Sequence, residues 1–121
     1  PEDQIADLPM RNIAAEITRE KLTLRLHQEL PYALTVETDK WKRGKDGSIH
    51  IEQTVFVARD GQKAIVLGKG GQSIKEIGGE ARLELEEAFQ CRVHLFIFGK
   101  VRKNWQDDPG RYRVLGLDYG A

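Results

Sequence analysis

The run Gly68-Lys69-Gly70-Gly71 is the part of this sequence whose residue types and spacing point most clearly to chemistry. Glycines allow positive φ, and because they lack Cβ atoms they let a sugar-phosphate chain approach the main chain closely. If a helix begins after Gly71, the amides near Gly71 and Gln72 lie at its positive end, where a phosphate is favoured. Lys69 would add a mobile positive charge. This glycine loop (residues 68–71) is therefore a candidate site for a phosphate backbone.

Three motifs with similar glycines do not fit the loop. A nucleotide P-loop needs a glycine where Lys63 stands and a Ser or Thr after its Gly-Lys pair, where this sequence has Gly70. A dinucleotide fingerprint needs a glycine in place of Ser73, and a nucleophile elbow needs one in place of Lys75. What remains is G-x-x-G between two helices. This spacing is typical of loops that clamp about four nucleotides of a single strand, although a tight helix-helix turn would use the same residues.

The elements that position the loop follow from apolar periodicity. A first helix, capped by Asp7 with Pro9 in its first turn, is predicted to end at Pro31. Its apolar face would consist of Met10, Ile13, Ala14, Ile17, Leu22, Leu24, Leu26 and Leu30. Alternating residues then predict a strand from residue 32 and a second strand from about 48 to 58, joined by a glycine-containing hairpin turn.

Two predicted helices flank the glycine loop. A short one covers residues 62–67, and the longer one after the loop would bury Ile74, Ile77, Ala81, Leu85 and Ala88. Gly78 and Gly79 would cost the longer helix roughly 1 kcal/mol each unless close packing requires them. The final strand, residues 92–101, is apolar on both faces, so we expect it to be covered on both or to lie near the middle of the sheet. The order αββααβ predicts an α+β fold.

Positive charge is concentrated locally, although 19 Lys and Arg residues balance 19 Asp and Glu residues over the whole sequence. Residues 40–75 hold eight basic and three acidic side chains, whereas residues 76–90 hold one and five. Seven of these eight basic residues lie in the predicted hairpin (Lys40, Lys42, Arg43, Lys45) or around the glycine loop (Lys63, Lys69, Lys75). Such a patch is typical of a surface that binds a polyanion, although a basic hairpin tip can also serve solubility alone.

Other classes of function find little support in the composition. The single cysteine, Cys91, excludes an internal disulfide and a cysteine-cluster zinc site, and neither the three scattered histidines nor Ser73 forms a catalytic constellation. No cofactor or metal is therefore expected. No run approaches the eighteen or so apolar residues of a membrane span. We expect one soluble domain over residues 1–121, with a core at about 8–103 and a tail at 104–121 that packs on it.

The predicted order αββααβ, with the glycine loop between the two inner helices, resembles a type II KH domain. The wider string Ile65-Val66-Leu67-Gly68-Lys69-Gly70-Gly71-Gln72-Ser73-Ile74-Lys75-Glu76-Ile77-Gly78 closely resembles the C-terminal domain of the Era family of GTPases. The closing stretch Val93-His94-Leu95-Phe96 and Lys100-Val101-Arg102-Lys103-Asn104-Trp105 is also similar, and the resemblance covers roughly residues 8–117. It implies a three-stranded sheet packed against three helices.

The resemblance also implies a function. Members of that family bind the single-stranded 3′ end of small-subunit ribosomal RNA during ribosome assembly, while an N-terminal P-loop domain, which is not in this sequence, hydrolyses GTP. The chain itself is thus expected not to be an enzyme. Its implied partners are single-stranded RNA, the small ribosomal subunit and the missing GTPase domain. The implied location is the cytoplasm, with peripheral membrane association of the parent protein left open.

Site residues are carried over from the resemblance one by one. Phosphates would lie on residues 68–71, and bases would lie in a groove walled by Ile65, Val66, Ile74 and Ile77. The residues expected to bind RNA are Gly68, Lys69, Gly70, Gly71, Gln72, Ser73, Ile74, Lys75, Ile65, Val66, Ile77, Lys63, Lys42 and Arg43. The basic hairpin would close the far side of the groove, and Trp41 would either stack on a base or cover the sheet edge.

A protein-docking module is the alternative. The acidic helix face formed by Glu80, Glu84 and Glu87 would suit a basic partner or a neighbouring domain, or it would simply be solvated. Steep salt dependence of binding to short single-stranded RNA distinguishes the two functions, since the docking function does not require it.

Overall fold

The computed structural model describes residues 2–30 and 34–102, with side chains from residue 8 onward. Its elements are α1 (Glu2–Leu26), β1 (Thr35–Arg43), β2 (Ile49–Val57), α2 (Asp60–Leu67), a 3-10 turn (Lys69–Gly71), α3 (Gln72–Phe89) and β3 (Val93–Val101). The predicted αββααβ order and α+β class are confirmed. The tail predicted at residues 104–121 lies outside the described residues.

The three strands form one mixed sheet in the order β1-β2-β3. β1 is antiparallel to β2, whereas β2 is parallel to β3, so that Ile49 pairs with both Arg43 and Val93. A parallel pair needs a long crossover connection, and α2, the glycine loop and α3 supply it. β3 therefore lies at an edge of the sheet, next to the crossover that carries the loop.

The prediction that β3 is central or covered on both faces is wrong for the described part of the chain. Its outward-facing Phe96 and Phe98 are 47% and 50% exposed. Apolar residues on both faces of a strand indicate two contact surfaces, and here one of those surfaces is left open by the fold.

The core lies between one face of the sheet and the three helices. One cluster of buried residues contains Leu22, Leu26, Leu30, Val55, Val57, Val66 and Ile77. A second contains Ala14, Trp41, Ile49, Ile51, Leu85 and Val93. Because Val66 of α2 and Ile77 of α3 both belong to the first cluster, it fixes the two helices on either side of the glycine loop.

The first helix differs from its prediction at its start. Helical structure begins at Glu2, so Asp7 and Pro9 lie inside α1 instead of forming its cap and first turn. The first strand differs at its end, because β1 continues to Arg43. The basic residues from Lys40 to Arg43 therefore belong to a strand, and only the residues after Arg43 form the turn.

The buried face of α1 also differs from its prediction. Its buried residues recur every four positions, at Ala14, Thr18, Leu22 and Leu26, whereas Ile13 and Leu24 are exposed. Thr18 is fully buried because its hydroxyl donates a 2.6 Å hydrogen bond to Oε1 of Gln53, which is also fully buried. A pattern of apolar residues does not reveal a buried polar residue such as Thr18. The predicted buried face of α1 was therefore displaced from the observed one.

Candidate nucleic-acid interface

The glycine loop has a backbone that only glycine adopts readily. Gly68, Gly70 and Gly71 have φ values of 75°, 63° and 76°. At Gly68 a Cβ atom would lie 2.5 Å from Cβ of Ser73, so the loop also closes tightly against the start of α3. At Gly70 and Gly71 a Cβ atom would meet nothing within 4 Å. The loop thus needs glycine for its shape, and its last two glycines have open space where a side chain would stand.

The loop delivers this exposed backbone to the N-terminus of α3. The 18-residue helix begins at Gln72, and no side chain caps its first amides. The Gly71 N–H donates a 3.0 Å hydrogen bond to the Gly68 carbonyl, and the Gln72 N–H donates one to the Lys69 carbonyl. An anion is therefore favoured here by the positive end of the helix dipole, and not by these two amides. Lys69 is exposed beside them, as the sequence predicts.

A groove runs from the loop between α3 and the edge strand β3. One wall is formed by Ile74, Lys75, Gly78, Gly79 and Arg82 of α3, and the other by Leu95, Phe96, Ile97 and Phe98 of β3. A Cβ atom on Gly79 would meet nothing within 4 Å, and one on Gly78 would only reach ordinary contact with Ile97, 3.7 Å away. Close packing therefore does not require these two glycines. They lower the helix wall and keep the groove open.

The groove predicted from the sequence is wrong in part. Val66 and Ile77 are 0% exposed and lie in the core, so neither can touch a base. Ile65 is exposed on α2, and of the four predicted wall residues only Ile74 lines the groove between α3 and β3. The apolar faces of α2 and α3 meet beneath the loop, whereas the opening lies on the other side of α3.

The lysines around the loop keep their charge available. Within the described residues, Lys63, Lys69 and Lys75 form no ion pair or hydrogen bond through their side chains. Lys75 lines the groove, and the aliphatic chain of Lys63 packs beside β3, with its Cγ 3.6 Å from where a Cβ atom on Gly99 would stand. That distance is an ordinary van der Waals contact, so packing does not require glycine at position 99.

The acidic side of α3 faces α1 instead of the groove. Nζ of Lys21 lies 2.6 Å from Glu84, and Arg25 pairs with both Glu76 and Glu80. The hydrogen bond to Glu84 is the main cause that raises the pKa of Lys21. These carboxylates join two helices of the same chain. The acidic face on which the docking alternative depends is therefore largely occupied within the domain.

The basic hairpin lies at the opposite end of the groove from the glycine loop. Lys42 and Arg43 are exposed at the end of β1, and the register places Lys42 opposite His50, which pairs in turn with His94 of β3. The hairpin thus lies beside the start of β3 and the end of α3. That the hairpin closes the far side of the groove stays a prediction.

Trp41 does not lie in that surface. Its side chain is 6% exposed in the second core cluster, and its ring packs edge-on against Phe89 with centroids 5.3 Å apart. Neither base stacking nor a surface position at the sheet edge is therefore correct for Trp41. Ala88, predicted to be buried, is exposed, because Phe89 fills the position against Trp41.

The sequence analysis missed Arg82 on the α3 wall of the groove and the whole β3 wall. The β3 residues are Leu95, Phe96, Ile97 and Phe98, and two signals in the sequence marked the groove. One is the Gly78-Gly79 pair inside a helix, and the other is a strand that is apolar on both faces.

The described ranges contain neither a membrane-crossing segment nor a cluster suited to a metal. None of the helices in those ranges combines the length and apolar character that a crossing requires. No group of three or more His, Cys, Asp or Glu side chains there is placed to hold an ion.

The order αββααβ around a G-x-x-G loop defines a nucleic-acid-binding domain of the type II KH class. The sequence profile described as KH domain matches residues 29–106. The GTPase Era of Sinorhizobium medicae is 65% identical over 119 residues, and that of Brucella suis biovar 1 is 61% identical over the same length. These stretches make up 98% of this chain and 38% of each relative.

Solved structures agree with the sequence relatives. A variant of Aquifex aeolicus Era bound to GDP and AlF4⁻ matches with a TM-score of 0.76 and 37% identity, over 93% of this chain and 38% of that one. An Era complex with MgGDPNP and nucleotides 1506–1542 of 16S ribosomal RNA matches with the same values. The chain belongs to the KH domain family and corresponds to the C-terminal KH domain of the Era GTPases. It spans about two-fifths of the length of these relatives.

Proposed function

We propose that this chain is the single-stranded RNA-binding domain of an Era-type GTPase. The observation that carries the proposal is the pair Gly70 and Gly71, whose bare backbone opens at the uncapped start of α3 and leads directly into the groove. An extended strand can place its phosphates on the loop and its bases in the groove. Duplex RNA would not expose its bases to such a groove.

Each part of the site has a role in this function. The positive end of the α3 dipole favours a phosphate at the glycine loop, with Lys63, Lys69 and Lys75 supplying positive charge around it. Gly68 packs directly against Ser73 at the start of α3, where a side chain on residue 68 would have no room. Ile74 provides an apolar surface for a base, and the half-exposed Phe96 and Phe98 supply aromatic faces for stacking.

The RNA that fits best is the 3′ end of small-subunit ribosomal RNA. The proposal is supported by the related Era structure that contains nucleotides 1506–1542 of 16S ribosomal RNA. The parent protein would then act in the cytoplasm on the small ribosomal subunit during ribosome assembly, with GTP hydrolysis in its other domain. The chain alone, without a P-loop, neither binds nor hydrolyses GTP, and equilibrium dialysis with labelled GTP checks this.

A titration with short oligonucleotides tests the function. We expect tight, salt-sensitive binding of single strands that carry the 3′-terminal small-subunit sequence, weaker binding of scrambled strands, and little binding of the same sequence in a duplex. Equal affinity for duplex and single strand would refute the clamp. Binding that does not change between low and high salt would refute the phosphate contacts.

A further inference from the structure

Of the two basic residues that join α1 to α3, Arg25 is the one whose partners lie near the glycine loop. Nη2 of Arg25 donates a hydrogen bond to Oε1 of Glu76, and Nη1 donates one of 3.3 Å to Oε2 of Glu80. Glu76 lies four residues after Gln72, which at 1.5 Å per residue places it roughly 6 Å along α3 from the first residue of that helix. The Arg25 guanidinium therefore reaches the part of α3 that begins at the RNA clamp.

Glu76 connects this ion pair to the start of α3. Its Oε2 accepts a 2.5 Å hydrogen bond from the side-chain amide of Gln72, while its Oε1 accepts the one from Arg25. Gln72 directly follows the glycine loop and is one of the residues expected to bind RNA. A chain of contacts thus runs from Arg25 through Glu76 to the residue next to the clamp.

The carboxylate of Glu76 is unfavourable for RNA binding unless its charge is balanced. The first turn of α3 contains no acidic residue, so Glu76 is the acidic residue of α3 nearest to the loop. An unpaired carboxylate there would offset the positive end of the helix dipole and repel a phosphate on the loop. Arg25 supplies the opposite charge directly to that carboxylate.

We propose that Arg25 is a positioning residue for the RNA clamp. It neutralises the Glu76 carboxylate and holds it beside Gln72, so that the positive end of α3 keeps its attraction for a phosphate of single-stranded RNA. The inference rests on the proposed function, because it concerns the affinity of the same loop. It gives α1, which packs on the side of α3 that faces away from the groove, a role in RNA binding.

Removal of the charge from either side of the pair distinguishes this role from a structural one. Fluorescence anisotropy would measure the affinity for a labelled single-stranded RNA at low salt. Arg25→Gln should weaken binding by about two- to fivefold, the size expected for one partly exposed charge pair. Glu76→Gln should not weaken binding, because its amide oxygen can still accept the hydrogen bond from Gln72. If the pair only held the two helices together, both substitutions would weaken binding alike.

The double variant Arg25→Gln/Glu76→Gln shows whether Arg25 acts through Glu76. Without the carboxylate there is no charge to neutralise, so affinity should return to within about twofold of the wild-type value. Arg25→Lys keeps the charge and should also bind almost as tightly as wild type. A loss that persists in the double variant, or one as large in Arg25→Lys as in Arg25→Gln, would overturn the proposal.

Lys21→Gln is the matched control. Lys21 also joins α1 to α3, but its partner Glu84 lies twelve residues after Gln72, roughly 18 Å along the helix. The substitution removes the same charge and breaks an ion pair between the same two helices, so the melting temperature should fall to a similar extent while RNA affinity stays unchanged. Equal losses of affinity in Lys21→Gln and Arg25→Gln would reduce the effect to overall charge or helix packing.

The outcome for the wild-type chain separates this role from the function on which it rests. Wild-type binding of single-stranded RNA that Arg25→Gln does not weaken would refute the positioning role and leave the clamp intact. Failure of the wild-type chain to bind single-stranded RNA would refute both.

Discussion

Gly68 is the residue on which the shape of the loop depends most. It combines φ of 75° with a contact so close that a Cβ atom would lie 2.5 Å from Cβ of Ser73. We expect Gly68→Ala to lower the free energy of unfolding by at least about 2 kcal/mol, from backbone strain and this clash together, and to weaken RNA binding. Thermal denaturation and an RNA titration on the same sample would measure both effects.

Gly61→Ala provides the control at this scale. Gly61 lies in the first turn of α2, where an added Cβ atom meets nothing within 4 Å. The substitution should leave RNA affinity unchanged and raise stability by up to about 1 kcal/mol. If Gly68→Ala were as harmless as Gly61→Ala, the loop would not have the strained, closed shape described above.

Individual residues show what the sequence could reveal about the site. The four residues of the loop were predicted correctly as a tight, glycine-dependent connection, because positive φ and missing Cβ atoms are properties of the residue itself. The places of Val66 and Ile77 were predicted wrongly. Periodicity shows that a helix face is apolar but not which neighbour it meets, and here that neighbour is the core.

At the scale of elements, the glycines of α3 lower the stability of the helix and keep the groove open. Gly79 weakens the helix, yet no packing requires it, since a Cβ atom there would meet nothing within 4 Å. Gly79→Ala should therefore raise the free energy of unfolding by about 0.5–1 kcal/mol. It should also lower RNA affinity, because the methyl group would occupy the groove. Melting curves and anisotropy titrations would show the two changes.

The prediction for Gly79→Ala is specific because stability should rise while RNA affinity falls. Gly61→Ala should raise stability alone, so a comparison of the two alanine variants separates the groove from general helix propensity. Unchanged RNA affinity in Gly79→Ala would mean that bases do not pass this point of α3.

The helices and strands were largely predictable from the sequence, whereas the way they pack against one another was not. The order of helices and strands follows from local periodicity and turn residues, which short stretches of sequence encode. The edge position of β3 follows from pairing with β2 across the α2-α3 crossover, and nothing within residues 93–101 records that pairing. The buried face of α1 depends on the distant pair Thr18 and Gln53 for the same reason.

Over the described residues the acidic and basic side chains occupy different surfaces, although the charges of the full sequence sum to zero. Carboxylates of α3 join α1 through Lys21 and Arg25, while Lys75 and Arg82 line the groove beside the glycine loop. The phosphates of an RNA strand that follows the groove would therefore be neutralised by lysines near the glycine loop and by the basic hairpin. The dependence of affinity on salt reports how many are neutralised.

The salt dependence gives a prediction for the hairpin. If three to five phosphates are neutralised, log affinity should fall against log salt with a slope of roughly −2 to −3.5. Replacing Lys42 and Arg43 with Ala should make that slope shallower by about 1 to 1.5 without changing the fold. Arg19→Ala, which lies outside the groove, should leave the slope unchanged. A slope that the double replacement does not alter would reduce the hairpin to a solubilising turn.

The central claim is that residues 68–71 clamp RNA, and the double variant Lys69→Asp/Gly70→Asp tests it most directly. Two carboxylates would repel the phosphates at the start of α3, whereas folding should lose only about 1–2 kcal/mol at Gly70, where φ is 63° and the surroundings are open. We predict that RNA binding collapses while a cooperative melting transition remains. Wild-type RNA affinity together with a native melting curve would contradict the account and leave the loop as a turn between two helices.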